Sequence, residues 1–523
     1  MKSAEQVTKR WADLNEARAT WQITWELISQ YVMPNRRGFT RKLTKGDTLK
    51  DYEVADGTAV EANQKLSSSL HGALTAPSAR WFNIGFRDKT LNDVDDAREW
   101  IQGCTDRMFK AFGDSNFNQA INESYLDLTG LGTGNVFVTE RTGKDGEWLG
   151  LSFTTFHLSE VAIADNQHGQ VDTIYRKYQL SARNALAKWP KAALGKVREV
   201  AEDSPDRMFT FVDVIEPNED YNPDAALDAK ARPYYHCVYS ESDKEVLEED
   251  GYWSLPHMVF RWMKQTGDDY GVGPSHFCMP EILGLNHAKQ LEFDAWDKAI
   301  DPPMIALAGT VVGDIDLVGG GLTMVNDVNG IRPMYEQTNW NTSQFKSEEA
   351  RAQIQAAFYN HLLDFPGGPN VTATEIVQRV ELMQREMAPM LGRIQAELLN
   401  PLIERVFDLM FRAGQFEPPP ESVMAEGDGE VDIEYISPLA RAQRSGDIEA
   451  INRWVGTITQ LAQVQPELLD WVDTDSIPGL LAERMGTPAE AVRSAEEVEQ
   501  IRKQRAEMQQ QMMAQQQMGP PPQ

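Results

Sequence analysis

Two long helical segments, separated by a short strand-like segment, constrain the fold of this chain more than any other feature. The first covers residues 275–300 and ends at Asp301-Pro302-Pro303, because proline cannot donate the backbone hydrogen bond that continues a helix. Polar residues lie on several sides of this helix, which is typical of a helix packed between neighbours. The second covers residues 342–363, and residues 302–340 are strand- and turn-like. The pattern therefore predicts a helix, strands and a helix in succession.

The first 265 residues combine helices and strands and predict one α+β unit. A first helix ends before Pro34, and further helices are predicted at 55–76, 93–112 and 117–131. The first helix has one apolar face, interrupted by Arg18. Its apolar residues recur at steps of three and four: Val7, Trp11, Leu14, Trp21, Trp25, Ile28 and Val32. Strands are predicted where β-branched and aromatic residues concentrate: 135–140, 149–155, 171–179, 209–215 and 234–239.

Beyond residue 363 a loop, a very long helix and a low-complexity tail are predicted. The loop consists of Asp364, Phe365, Pro366, Gly367, Gly368, Pro369 and Asn370. The helix extends from residue 372 to about 411, and Pro389 and Pro401 should kink or divide it. A linker at 417–429 and a strand at 431–435 precede helices that continue toward a Gln/Met-rich end. Such a tail is usually frayed unless neighbours supply packing.

The net charge of −29 limits how this chain can interact with nucleic acid. Proteins that grip DNA phosphates use basic patches, and this composition argues against that mode. It is compatible with a surface past which DNA slides, because like charges do not trap the phosphates. Residues 1–50 are the exception, with ten Lys/Arg against five Asp/Glu. The basic stretch at 35–50 is interpreted either as a solvated loop or as a contact with DNA or another protein.

The sequence contains no recognisable catalytic, metal-binding or membrane-spanning motif. Gly143-Lys144 is followed by Asp145 and predicts a hairpin turn, and Gly132-Thr133-Gly134 predicts a helix C-cap. The three cysteines, at 104, 237 and 278, indicate a reducing environment. Asp294 and Asp297 are interpreted as an ordinary polar helix face. We therefore predict no enzyme, cofactor, metal site or membrane span.

Five short segments together resemble the portal (head-to-tail connector) proteins of short-tailed bacteriophages. They occur in family order across nearly the whole chain, at 66–82, 131–136, 271–303, 372–402 and 435–443. Their most characteristic sequences are Leu74-Thr75-Ala76-Pro77, Gly271-Val272-Gly273-Pro274 and Tyr435-Ile436-Ser437-Pro438. Residues 180–250 and the last eighty match little of the family pattern.

The resemblance implies an α+β portal fold with a wing, a two-helix stem, a clip, a tunnel loop and a helical crown. The boundaries it implies are: wing 1–270, first stem helix 271–301, clip 302–341, second stem helix 342–363, tunnel loop 364–371, a long kinked helix and strand returning to the wing 372–436, and crown 437–523 with a possible barrel tail.

The function implied is a ring, expected to be a dodecamer, through which double-stranded DNA is packaged and ejected. Residues 364–370 would point at the DNA, and Lys289, Lys298, Lys346 and Arg351 are candidates for the channel wall. Implied partners are the terminase, tail adaptor, capsid and scaffolding proteins. Assembly is expected in the host cytoplasm, and the final location is the portal vertex of the virion. Two rivals are a cellular α+β structural or binding protein and a packaging enzyme, and the missing phosphate loop disfavours the enzyme.

Overall fold

The structure is a computed structural model, and it describes most of the chain up to residue 363 and parts of the remainder. The described residues are 3–36, 39, 54–315 (without 78, 93, 144, 191–193 and 224–227), 324–334 (without 328 and 330), 340–363, 385–426, 431–435, 451–462, 465, 467, 471–473, 476–485, 493, 498, 501–505 and 508.

The helices account for the long periodic segments of the sequence. They are α1 (Ala4–Tyr31), α2 (Thr58–Leu74), α3 (Lys89–Asn92), α4 (Asp95–Gly113), α5 (Phe117–Leu131), α6 (Ala182–Lys188), α7 (Gly195–Asp203), α8 (Pro274–Phe277), α9 (Met279–Ile300), α10 (Trp340–Ala357), α11 (Asn360–Leu363), α12 (385–394), α13 (Asn400–Arg412), α14 (Glu421–Glu426), α15 (451–462) and α16 (Ser476–Met485). Among the described residues, none of these helices is long and apolar enough to cross a bilayer.

The strands form one three-stranded sheet, one five-stranded sheet and several two-stranded pairs. They are β1 (Phe82–Phe86), β2 (Thr133–Thr142), β3 (Trp148–Thr155), β4 (Val161–Asp165), β5 (Val171–Ser181), β6 (Met208–Pro217), β7 (Tyr234–Ser240), β8 (Glu245–Tyr252), β9 (His257–Arg261), β10 (Met263–Lys264), β11 (Gly271–Val272), β12 (Met304–Ala306), β13 (Ile331–Pro333) and β14 (Val431–Tyr435). The three-stranded sheet has the order β3-β2-β9 and the five-stranded sheet β4-β5-β6-β7-β8. The α+β prediction is confirmed.

The apolar face of α1 binds this helix to both sheets. Val7 and Leu14 pack into the core of the five-stranded sheet, whereas Trp25 and Ile28 belong to the larger core around the three-stranded sheet. Trp25 also donates from Nε1 to the carbonyl oxygen of Leu131, at 3.2 Å. One amphipathic helix thus contributes to two hydrophobic clusters.

A close backbone contact joins the C-terminal end of α5 to β11, the short strand that precedes α8. Gly132 caps α5 in the left-handed conformation, with φ 79°, and confirms the predicted C-cap. A Cβ atom at this position would lie 2.3 Å from the carbonyl oxygen of Gly271, so the site excludes a larger residue. Two of the five characteristic segments meet here, one on each side of the contact.

Three predicted helices are interrupted, and each break has a local cause. The segment predicted as one helix from residue 275 is divided at Cys278, since Pro280 occupies the first turn of α9. Tyr359, with φ 57°, separates α10 from α11. A π-helical turn at Gln395–Leu399 precedes α13, because Pro401 cannot donate to the carbonyl four residues earlier.

Six strands and four helices were not predicted from the sequence: β1, β4, β8, β9, β10, β11, α3, α6, α7 and α14. The strands β4 and β9 are five residues long and largely buried on both faces, so they show little alternation between polar and apolar residues. The strand β1 does alternate, with Phe82, Ile84 and Phe86 buried, but it is only five residues long. Acidic residues fill much of β8, the last strand of its sheet. The helices α6 and α7 are short. The predicted strand at 431–435 is present and pairs with β1.

Candidate functional site

The helices α9 and α10 pack against each other with β12 and β13 at their far end, and we call these four elements the stem hairpin. β12 and β13 are antiparallel, with Met304 opposite Pro333. Between the helices, the hydroxyl of Ser347 donates to Oε1 of Glu292 at 3.4 Å. The helix–strand–helix succession predicted from the sequence is therefore present.

A polar node fixes the upper end of the stem hairpin to the start of α2. Asn286 accepts hydrogen bonds from the backbone amides of Ala55 and Asp56 through its side-chain oxygen. Arg351 of α10 donates from Nε and Nη2 to Oδ2 of Asp56, at 3.0 and 2.7 Å. Burial alone would raise the pKa of Asp56, but hydrogen bonds from Thr58 and Arg351 hold it below its ordinary value. Both stem helices are thus bound to one turn.

The structure separates the four predicted wall cations into two pairs. Arg351 is engaged with Asp56, and Lys289 donates to Glu292 on its own helix at 2.6 Å. Lys298 and Lys346 are exposed. The first pair is neutralised within the chain, so only the second presents its charge to whatever lies beside the hairpin.

Large apolar side chains are exposed along the lower half of the stem hairpin, which is the half next to β12 and β13. Leu291, Phe293, Trp296 and Ile300 are 53, 49, 53 and 82% exposed. The hairpin end also exposes Met304, Leu307, Ile315, Met324 and Met334. A concentration of exposed apolar side chains of this kind marks a contact with another protein.

Acidic side chains line the side of α9 opposite α10. Asp294, Asp297 and Asp301 recur at steps of three and four, which places them on one face of the helix. No group of three metal-ligating side chains occurs among the residues that the structure describes. All three carboxylates are exposed, so the stripe is a charged surface.

A buried ionic cluster, missed by the sequence analysis, fixes the helix that follows residue 384. The fully buried Arg261 donates to Asp165 at 2.7 Å and to Glu397 at 2.8 Å. Lys264 also pairs with Asp165, and Arg393 with Glu397. These charges compensate one another, and the pKa of Arg261 is raised despite burial, since both carboxylates favour its charged form. A lone Arg in a short strand carries no sequence signal of such a role.

Several predicted features lie outside the described residues. These are the loop formed by Asp364, Phe365, Pro366, Gly367, Gly368, Pro369 and Asn370, most of the basic stretch at 35–50, most of the segment from 436 onward, and the Gln/Met-rich tail. The Gly143–Asp145 segment is largely described and forms the predicted hairpin turn, with the amide of Gly146 bonded to the carbonyl of Gly143.

Comparison with known proteins agrees with the resemblance. A family model described as bacteriophage head to tail connecting protein matches residues 4–492. The chain is 29% identical over 515 residues to the probable portal protein of Bordetella phage BPP-1, covering 96% of this chain and 91% of that protein. It is 27% identical over 519 residues to the portal protein of Salmonella phage epsilon15, with the same coverage.

One solved structure gives a weaker likeness. A chain from the neck of an empty GTA particle, computed with C6 symmetry, matches with a TM-score of 0.36 and 12% identity, covering 79% of this chain and 90% of that chain. The family match, in contrast, extends over nearly the whole sequence, and the chain belongs to the family of bacteriophage head to tail connecting proteins.

Proposed function

We propose that this chain is the subunit of a portal ring, a channel at the capsid vertex through which double-stranded DNA enters and leaves the phage head. The observation that carries the proposal is the stem hairpin with its exposed apolar surface. A single chain leaves Phe293, Trp296 and Ile300 about half exposed or more, and neighbouring copies in a ring would cover them. Contacts that repeat by rotation close into rings, and a dodecamer is the ring expected from the family.

The acid excess suits a channel that lets DNA pass. Each chain contributes a net charge of −29, and the stripe at Asp294, Asp297 and Asp301 carries part of it on the stem itself. A wall of this sign repels phosphates and keeps no register with them, so it lowers the friction of sliding. Lys289 and Arg351 offset the negative charge of this wall less than the sequence suggests, because each is already paired with a carboxylate of its own chain.

The tunnel loop at 364–371 would act as a check against DNA sliding back. Gly367 and Gly368 give its centre conformational freedom, and Pro366 and Pro369 stiffen its flanks. We expect Gly367→Ala with Gly368→Ala to leave assembly intact and to reduce retention of packaged DNA. Unchanged retention in phage assembled with this variant would remove the loop from the mechanism.

The far end of the stem hairpin would be the clip that docks other proteins. Its exposed apolar residues, among them Leu307 and Met324, offer a docking surface. The terminase motor would bind during filling and the tail adaptor afterwards, and capsid and scaffolding proteins would surround the ring. In this scheme the subunit is passive, and the docked motor supplies the force.

Electron microscopy of the purified full-length chain tests the proposal directly. Rings with a central hole are expected in negative stain, and twelvefold class averages would fix the stoichiometry. Monomers at every concentration, also after co-expression with the scaffolding protein, would contradict it. An ATPase assay on the same sample addresses the rival packaging enzyme, and turnover that follows the purified chain would favour that rival.

A further inference from the structure

The two flanks of the stem hairpin differ in chemistry, and helix geometry defines which residue lies on which flank. An α-helix turns about 100° per residue, so the residues before and after an interhelical contact project to opposite sides. Glu292 and Ser347 make that contact. Ser347 and Ile354, almost fully buried, share the inner face of α10. Because the helices are antiparallel, the residue that follows the contact projects to the same flank in both.

One flank of the stem hairpin carries apolar side chains and one acidic side chain. Phe293 follows Glu292, and Trp296 and Ile300 stand three and seven residues further along the same face. The rings of Phe293 and Trp296 contact each other edge to face, with centroids 6.0 Å apart. Glu348, which follows Ser347, is exposed on this same side.

The opposite flank carries the complementary groups. Leu291 precedes Glu292 and is exposed, and Lys298 lies two turns along the same side. Lys346 precedes Ser347 and is exposed as well. Lys346 and Glu348 differ in height along α10 by only about 3 Å, since each residue adds 1.5 Å of rise.

We propose that these two flanks bind each other between successive copies of this chain. Phe293, Trp296 and Ile300 of one copy would pack against Leu291 and the aliphatic part of Lys298 of the next. Glu348 would pair with the next copy's Lys346. Rotation about a ring axis preserves height, so groups at equal height on opposite flanks are the ones that meet. This inference rests on the proposed ring and assigns the surfaces that build its stem.

The alternative packing is electrostatically unfavourable. If the back of α9 met the back of α10 in the next copy, Asp294 and Asp297 would approach Glu349, another exposed acid. Like charges at a contact disfavour it. Flank-to-flank contact leaves the stripe of Asp294, Asp297 and Asp301 outside the interface and free to line a channel. It also moves Lys298 and Lys346 from the expected wall to the subunit contact.

Exchanging the charges of Glu348 and Lys346 tests whether these two residues pair between successive copies. Glu348→Lys and Lys346→Glu alone each place like charges at every interface, and we expect each to lower the fraction of chain in rings by about tenfold or more, because the cost repeats around the ring. The double variant restores the pair and should recover rings to within about twofold of wild type. Mass photometry and negative-stain images of the full-length chain measure the ring fraction.

Two controls separate assembly from folding. Glu349→Lys makes the same charge change on the same helix but off both flanks, and it should leave the ring fraction unchanged. Phe293→Ser should reduce rings, whereas Met208→Ser, at an equally exposed residue of β6, should not. All these side chains are exposed, so the thermal midpoint of the monomer should stay at its wild-type value.

The outcomes distinguish a failure of the flank-to-flank contact from a failure of the proposed portal ring. If wild type forms rings and the single variants form them equally well, the flank contact is wrong and the portal proposal stands. Failure of the double variant to recover rings would overturn the pairing of Glu348 with Lys346. If wild type forms no rings, the portal proposal fails and this inference fails with it.

Discussion

The N-terminal unit from α1 to β11 and the stem hairpin differ in which side chains they bury. In the N-terminal unit, even charged groups are buried and compensated: Arg18 donates through Nη1 to three backbone carbonyls, and Arg261 binds two carboxylates. In the stem hairpin, the largest apolar side chains of the lower half remain exposed. The first region completes its core within one chain, whereas the second requires a neighbour. Variants of the two regions should therefore fail in different ways.

Arg261→Ala should have the largest effect, by leaving Asp165 and Glu397 as buried carboxylates without their main partner. We expect the free energy of unfolding to fall by about 3–5 kcal/mol. Chemical denaturation of the purified chain measures it. The control is Arg183→Ala, since the pair with Asp206 lies on the surface and should cost less than about 1 kcal/mol. Equal losses in the two variants would contradict the distinction between buried and exposed pairs.

Acid should weaken the folded chain through two buried histidines, His257 and His276. Burial lowers the pKa of His257 to about 3 and that of His276 to about 4. Below the unfolded pKa near 6.5 only the unfolded chain takes up these protons, so stability falls by about 1.4 kcal/mol per pH unit for each group. The loss continues down to the folded pKa values.

Denaturation measured between pH 7 and 4.5 tests this acid sensitivity. His257→Gln should reduce the slope of stability against pH, and His168→Gln, at an exposed position, should not. The pair of His236 with Asp213 acts in the other sense, because hydrogen bonding to Asp213 raises the pKa of His236 despite burial. An unchanged slope in His257→Gln would remove this histidine from the acid response.

Gly132→Ala should disturb the close backbone contact between the end of α5 and Gly271 of β11. The new Cβ would meet the carbonyl of Gly271, and φ 79° is itself unfavourable for alanine, so we expect a loss of about 2 kcal/mol or more. The control is Gly103→Ala in α4, where nothing lies within 4 Å and alanine should stabilise the helix by about 1 kcal/mol. Thermal unfolding should therefore shift in opposite directions.

Arg351→Ala should have the smallest effect on overall stability, because its pair with Asp56 is partly exposed. We expect a loss of about 1 kcal/mol, and less than about 0.5 kcal/mol for Lys289→Ala, whose partner is on the same helix. Hydrogen exchange should show faster opening of α10 in Arg351→Ala alone. Equal exchange in both variants would show that the node at Asp56 does not hold the stem hairpin.

Local patterns in the sequence identified the elements that depend on local causes. The apolar periodicity of α1, the proline-ended α9 and the glycine cap of α5 follow from interactions within a few residues. Together with five characteristic segments, they were enough to predict the α+β class and the family. Of the missed strands, β4 and β9 lack alternation because they are largely buried on both faces. Arg18 in an apolar helix face gave no hint of its carbonyl partners.

Tertiary structure alone decided which distant groups meet. It paired β1 with β14, more than 300 residues apart in the chain, and brought Arg261 to Glu397. Among the four predicted wall cations, it also paired Lys289 and Arg351 with carboxylates and left the other two exposed. The physical reason is that a short strand or a single charge is compatible with many partners, and only the packing of the whole chain selects one. The sequence by itself determined the long helices and the acid excess; the structure determined which faces remain uncovered.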